Sequence, residues 1–216
     1  MPTTILWLRH DLRLDDNPAL VAAAARGAVV PVFIWAPEEE APWEPGAASR
    51  WWLHQSLEQL AAAFAKLGVP LVIRRGPSLA ALEKLARETS ATHVAWNRRY
   101  EPAVIARDTA IKKALAAKGL EAESFNGGLL FEPMRVATKE GRPYQVFTPF
   151  WRALLAREEP PEPVAAPKKL VPAAKAAKSP VSGSRSSTAT CRAIFRAWNT
   201  CCGTAPGPPL HWSDCP

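Results

Sequence analysis

Apolar and polar positions change period along the chain in a way that marks alternating strands and helices. Ile5-Leu6-Trp7-Leu8 is a short continuous apolar run, as a strand buried on both faces of a sheet should be. Five charges then fall within eight residues, at Arg9, Asp11, Arg13, Asp15 and Asp16. Asn17-Pro18 starts a helix over 17–26, with Asn17 suited to the N-cap, Pro18 to the first helical position and Leu20 to its buried side. Val29 to Trp35 is a second apolar strand, followed by a proline-rich loop holding Glu38, Glu39, Glu40 and Trp43. From Ser49 to Leu67, the residues Leu53, Leu57, Leu60, Phe64 and Leu67 recur at steps of three and four. They form one face of an amphipathic helix, with Gly68 as its C′ residue.

The alternation continues. Leu71 to Arg74 reads as a strand, and Ser78 as the cap of a helix carrying Leu79, Leu82 and Leu85. His93 to Trp96 is the next strand. Pro102 opens a helix with Val104, Ile111 and Leu115 inward and Gly119 at its end, and Glu121 to Phe125 is a fifth strand. The pattern predicts an α/β fold: a Rossmann-like, five-stranded parallel sheet with helices on both faces, linked by right-handed crossovers. Charges at the carboxyl end of the first strand sit where open parallel sheets bind ligands. No G-x-G-x-x-G follows that strand and no phosphate loop occurs, so an ordinary dinucleotide-binding turn is not expected; Gly127-Gly128 reads as a turn.

Three segments follow from composition: a domain over 1–155, a Pro/Ala/Lys-rich linker over 156–178, and a tail over 179–216 expected to be disordered. The tail has no lysine or glutamate and holds all four cysteines, Cys191, Cys201, Cys202 and Cys215. Such composition fits an out-of-frame reading beginning near Lys178; a genuine disordered extension is the alternative. Adjacent Cys201-Cys202 with His211 nearby is a poor zinc site, so no metal is expected. The net charge of +7 owes much to Lys168, Lys169, Lys175 and Lys178, which suit a solvated linker better than a nucleic-acid reading head. No apolar run reaches the length of a membrane span, and Met-Pro-Thr-Thr lacks the regions of a signal peptide, so a soluble cytoplasmic protein is expected. His10, His54 and His93 stand apart with no nucleophile near them in sequence, so no catalytic residue is assigned.

The stretch R-H-D-L-R-L-D-D-N-P-A-L at 9–20 closely resembles the amino-terminal signature of the DNA photolyase/cryptochrome family. Further similar blocks follow in the family's order: V-V-P-V-F-I-W at 29–35, G-V-P-L-V-I-R-R-G at 68–76, N-R-R-Y-E-P at 97–102 and P-Y-Q-V-F-T-P-F-W at 143–151. The resemblance covers about residues 3–155 and implies the family's antenna domain alone. The helical domain that binds FAD and damaged DNA in full-length members has no counterpart here, so FAD, damaged DNA and light-driven dimer splitting are not expected of this chain by itself. The alternatives are a stand-alone nucleotide- or flavin-binding module of universal-stress or electron-transfer-flavoprotein type, and a non-functional gene product. The block at 143–151 favours the photolyase pattern over the former.

By resemblance, an antenna chromophore would lie among Arg9 and Asp11, Phe33 to Trp35, Arg50, and Arg99 with Glu101. Aromatic walls with a few convergent polar groups suit a planar heterocycle. The residues alone leave open a purely structural role, with Phe33, Trp35 and Trp51 in the core and Arg50 and Arg99 paired with nearby acids. Folate-binding relatives place an Asn-Glu pair where this chain has Ala103 and Val104, and deazaflavin-binding relatives an aspartate near Arg99. A flavin or an empty site is therefore expected over folate or deazaflavin. Aromatic residues normally covered by the second domain, Tyr144, Phe147, Phe150 and Trp151, predict self-association.

Overall fold

The computed structural model describes residues 1–138, 140–156 and 161–175; the tail, its cysteines and its expected disorder lie outside the described residues. Five strands, β1 (Thr3–Leu8), β2 (Ala28–Trp35), β3 (Val72–Arg75), β4 (His93–Asn97) and β5 (Glu121–Phe125), form a wholly parallel sheet in the order β3-β2-β1-β4-β5. Alternation along β1 divides the core. Ile5 and Trp7 face α3 (Ser78–Thr89) and α4 (Pro102–Ala116), joining Leu82, Leu85, Ile111 and Leu115. Leu6 and Leu8 face α1 (Pro18–Arg26) and α2 (Ala47–Lys66), joining Leu20, Leu60 and Phe64. Helices therefore cover both faces, as a buried parallel sheet requires. The largest buried pair is Trp7 with Trp96, edge to face at 5.6 Å between ring centroids.

Local signals mostly act as the sequence implies. The Asn17 side chain accepts the Leu20 N–H at 3.1 Å, with Pro18 opening α1. Gly68 follows α2 at φ 91°, a conformation that costs glycine nothing. Ser78 differs from expectation. Pro77 occupies the cap position of α3, and the Glu39 carboxylate accepts from both the Ser78 N–H and Oγ at 2.6 Å. A carboxylate from a distant loop thus satisfies the positive end of that helix. Helix α2 starts at Ala47, two residues before the expected Ser49.

The stretch beyond residue 155 also departs from a solvated linker. Helix α5 (Phe147–Leu155) ends there, but residues 161–175 return along the domain. The Asp16 N–H donates to the Val164 carbonyl at 2.8 Å, and the Leu170 N–H to the Leu67 carbonyl at 3.0 Å. Leu170 is buried with Leu60 and Phe64. Val171–Pro172 forms a two-residue strand, β6, pairing with Ala28 and Val29 of β2. Because β1 already pairs with those two residues, β6 takes the side that β3 reaches only from Val32 onward.

Candidate functional site

The strand order reverses at β1, whose neighbours β2 and β4 diverge toward opposite edges, and ligands of open α/β sheets bind outside the carboxyl ends at such a point. Here a buried polar network fills part of that crevice. Arg9, next after β1, is buried and donates from Nη1 to Asp108 Oδ2 of α4 at 2.6 Å and from Nη2 to the Asn97 carbonyl. The Arg9 N–H donates to Asp11 Oδ1 at 2.9 Å. Asn97, the last residue of β4, donates from Nδ2 to Asp11 at 2.7 Å and to Asn17 at 2.8 Å, and accepts the Ala19 N–H at 3.2 Å. Burial works against the Arg9 charge, and Asp108 and Asp11 oppose that effect. Arg9 thus joins β1 to β4 and α4, Asp11 joins the loop after β1 to Asn97, and Asn97 carries the network on to the start of α1.

Beside this network, toward β2, opens a cavity of about 900 Å³. Its apolar wall is Trp7, Phe33 and Trp35 from strand ends, Leu53 and Trp52 from α2, and Val104 from α4, with Trp43 at the rim. Its polar wall is an interlocked set of ion pairs. Arg99 donates to Glu40 Oε1 at 2.7 Å and to Glu101 Oε1 at 2.9 Å. Arg107 donates to Glu39 at 3.3 Å and Asp108 at 3.3 Å, with its guanidinium 5.6 Å from the Trp7 ring centroid. Burial would raise the Glu40 carboxyl, but the Arg99 hydrogen bonds and the charges of Arg99 and Arg107 bring it below the ordinary glutamate value. Glu101 is lowered by its hydrogen bond to Arg99, while burial opposes this. His10, on the same wall, is held toward its neutral form by desolvation and then by the Arg99 charge.

Of the expected residues, Arg9, Phe33, Trp35, Arg99 and Glu101 line this cavity. Asp11 instead faces a smaller polar cleft of about 480 Å³ shared with Asn97, Tyr100 and Gly127. Arg50 lies outside the lining; its Nε donates to the Pro45 carbonyl at 2.8 Å. Phe33 and Trp35 are buried as a structural reading requires, yet Trp51 is 61% exposed and belongs to no core. The acidic run at 38–40 is no simple solvated turn, since Glu39 and Glu40 hold Ser78, Arg99 and Arg107. Arg107, Glu39, Glu40 and Trp52 are among the lining residues that sequence reasoning missed. One signal was available: Asp108 lies on the buried stripe of α4 with Val104, Ile111 and Leu115, where a carboxylate demands a buried cation.

A planar ring fits this lining by its chemistry: indole and phenyl faces on one side, carboxylate and guanidinium groups on the other. Among the described residues no group of three His, Cys, Asp or Glu side chains is placed to hold a metal ion. No helix of the described residues is long and apolar enough to cross a membrane.

Open parallel α/β domains offer ligand sites at the carboxyl ends of their strands, and this cavity lies at that position. The profile of the DNA photolyase family matches residues 4–168, and the chain belongs to that family. It is 47% identical over 167 residues to the deoxyribodipyrimidine photo-lyase of Agrobacterium fabrum, covering 77% of this chain and 34% of that protein. To Cryptochrome-1 of Arabidopsis thaliana it is 42% identical over 170 residues, covering 78% and 25%. The crystal structure of a class III photolyase from Agrobacterium tumefaciens superposes with a TM-score of 0.77 at 45% identity, covering 83% of this chain and 37% of that one. The chain thus spans roughly a quarter to a third of the length of these relatives. The match is to the N-terminal α/β domain, and homology to that antenna domain implies a chromophore in full-length members.

Proposed function

We propose that this chain provides the light-harvesting, chromophore-binding α/β half of a photolyase/cryptochrome-type protein. The observation that carries the reading is the cavity at the carboxyl ends of β1, β2 and β4, where five of the seven residues expected by resemblance converge. Phe33, Trp35 and Trp7 supply aromatic surface and exclude water, and the Arg99–Glu40–Glu101 set orients polar ring edges. The bound chromophore supplies absorption of light and delivery of that energy to an acceptor. A flavin is the favoured pigment, because the wall at Ala103 and Val104 offers no polar side chain. The 216 residues by themselves do not split pyrimidine dimers, since that chemistry belongs to the FAD-holding part of full-length members.

The test is spectroscopic. The purified chain is titrated with flavin, deazaflavin and reduced folate pigments, and binding is read from absorption shifts and fluorescence polarisation. A flavin should bind with micromolar or better affinity, and Trp35→Ala should abolish binding while far-UV dichroism stays unchanged. Unaltered affinity in folded Trp35→Ala would remove this cavity from consideration. Dimer repair by the chain alone under blue light, above a no-protein control, would refute the division of labour.

A further inference from the structure

We infer that the cavity selects an uncharged heteroaromatic ring and discriminates against the same ring carrying a phosphate or carboxylate inside the pocket; the inference rests on the chromophore reading above. Its basis is the state of every cation in the lining. Among the described residues no lysine lines the cavity, and its arginines are Arg9, Arg13, Arg99 and Arg107. Arg9 is bound to Asp108 at 2.6 Å and to a main-chain carbonyl. Arg13 gives its Nη2 to the Gly127 carbonyl at 2.6 Å and the Asp16 carbonyl at 2.8 Å, with the Asp16 carboxylate at 3.5 Å. Arg99 is held by Glu40 and Glu101, and Arg107 by Glu39 and Asp108. Each of the four guanidinium groups thus already has a carboxylate partner, and three of those carboxylates, Glu39, Glu40 and Glu101, lie in the lining itself.

Phosphate recognition rests on guanidinium forks or N–H nests left open for the ligand. Here those forks are closed by internal carboxylates, and an entering anion would either face Glu40 and Glu101 or displace them from Arg99. Displacement would strand carboxylates in a partly desolvated pocket. The helix end that borders the cavity is closed in the same way, because Glu39 already accepts from Ser78 N–H and Oγ at the start of α3. What the wall does offer is acceptors. Carboxylate oxygens keep spare lone pairs after pairing, which suits a neutral ring with edge N–H groups lying on Trp35 and Phe33. The ligand class is therefore a neutral isoalloxazine- or pterin-like ring whose charged tail, where it has one, remains outside in solvent.

Two matched pairs test this: riboflavin against FMN, and pterin against folic acid, each titrated by fluorescence into the full chain at constant ionic strength. In at least one pair the neutral member should bind as tightly as its anionic partner or tighter. Glu40→Gln, which frees one fork of Arg99, should shift the ratio within that pair toward the anionic member by about fivefold or more, the scale of one partly buried charge. Glu101→Gln, on a more exposed carboxylate, gives a second reading should Glu40→Gln fold poorly. Tighter binding of both FMN and folic acid than of their neutral partners in the unaltered chain would overturn this inference and leave the chromophore reading standing. No binding by any of the four would overturn both.

Discussion

Replacing Gly127 by alanine is the sharpest test of how the polar network is built. A Cβ at this position would stand 2.5 Å from Asn97 Cγ and 2.8 Å from both Nδ2 and Oδ1, distances that real Cβ atoms do not show. Asn97 would have to move, and its side chain makes three hydrogen bonds, with Ala19, Asp11 and Asn17. At about 1 kcal/mol net for each buried bond, their loss amounts to about 3 kcal/mol. Reduced freedom of the unfolded chain returns about 0.5 kcal/mol, so Gly127→Ala should destabilise by about 2–3 kcal/mol. Gly128→Ala is the internal control: nothing lies within 4 Å of its added Cβ, and its stability should change by less than about 0.5 kcal/mol. Urea unfolding followed by tryptophan fluorescence measures both. Asn97→Ala should cost about as much as Gly127→Ala, and the double variant no more than Asn97→Ala, because the clash and the lost bonds share one side chain. Strict additivity of the two changes, or equal stability of the Gly127 and Gly128 variants, would refute the reasoning.

Other expectations follow from charge and exposure. Glu40 and Glu101 have folded carboxyl values below the unfolded one, so their contribution is complete above about pH 4.5 and disappears as pH falls through the lower folded values. Arg99→Met should therefore flatten the acid limb of a stability–pH curve while changing it least below those lowered folded values; an unchanged limb would contradict the pairing. Helix α5 stacks Phe147 on Trp151 at 6.0 Å in solvent, with Phe147 70% and Leu155 65% exposed. The chain should self-associate with rising concentration in light scattering, and Phe147→Glu with Leu155→Glu should restore the monomer; identical profiles would clear α5 of that role. Arg50→Ala should leave chromophore affinity unaltered in fluorescence titration, because the Arg50 side chain does not line the cavity and gives its Nε to the Pro45 carbonyl.

The alternating elements were legible because each carried its own punctuation: Asn17-Pro18 at one helix start, Gly68 and Gly119 after two helix ends, and apolar runs between them. Strand ends at Phe33–Trp35 and the charged positions after β1 and β4 were placed by the family resemblance, and for the charges after β1 the sheet topology points the same way. The loop at 37–45 could not. Its Glu39 caps a helix that begins 39 residues later, a pairing that no local period records. Arg50 was misplaced for a related reason: which way a first-turn helical side chain points depends on where the helix begins, and α2 begins at Ala47. Trp51 and Trp52 differ by one helical step, yet only Trp52 borders the cavity. Leu170 lies in a segment of prolines, alanines and lysines whose apolar residues follow neither a helical nor a strand period, so nothing announces that it is core.

That residue and the short β6 set where this domain can be cut. A fragment ending at 155 would keep all five principal strands and every helix of the described residues. It would nevertheless lose Leu170 from beneath α2 and uncover the side of β2 at Ala28 and Val29, which β3 does not reach. A bare strand edge flanked by a new apolar hole is a template for intermolecular pairing. Pro172 at the outer position has no N–H to extend the ladder, so β6 also finishes the edge it covers. The smallest well-behaved folding unit therefore runs past residue 172, and fragments trimmed to the last helix should precipitate where those keeping the strap do not.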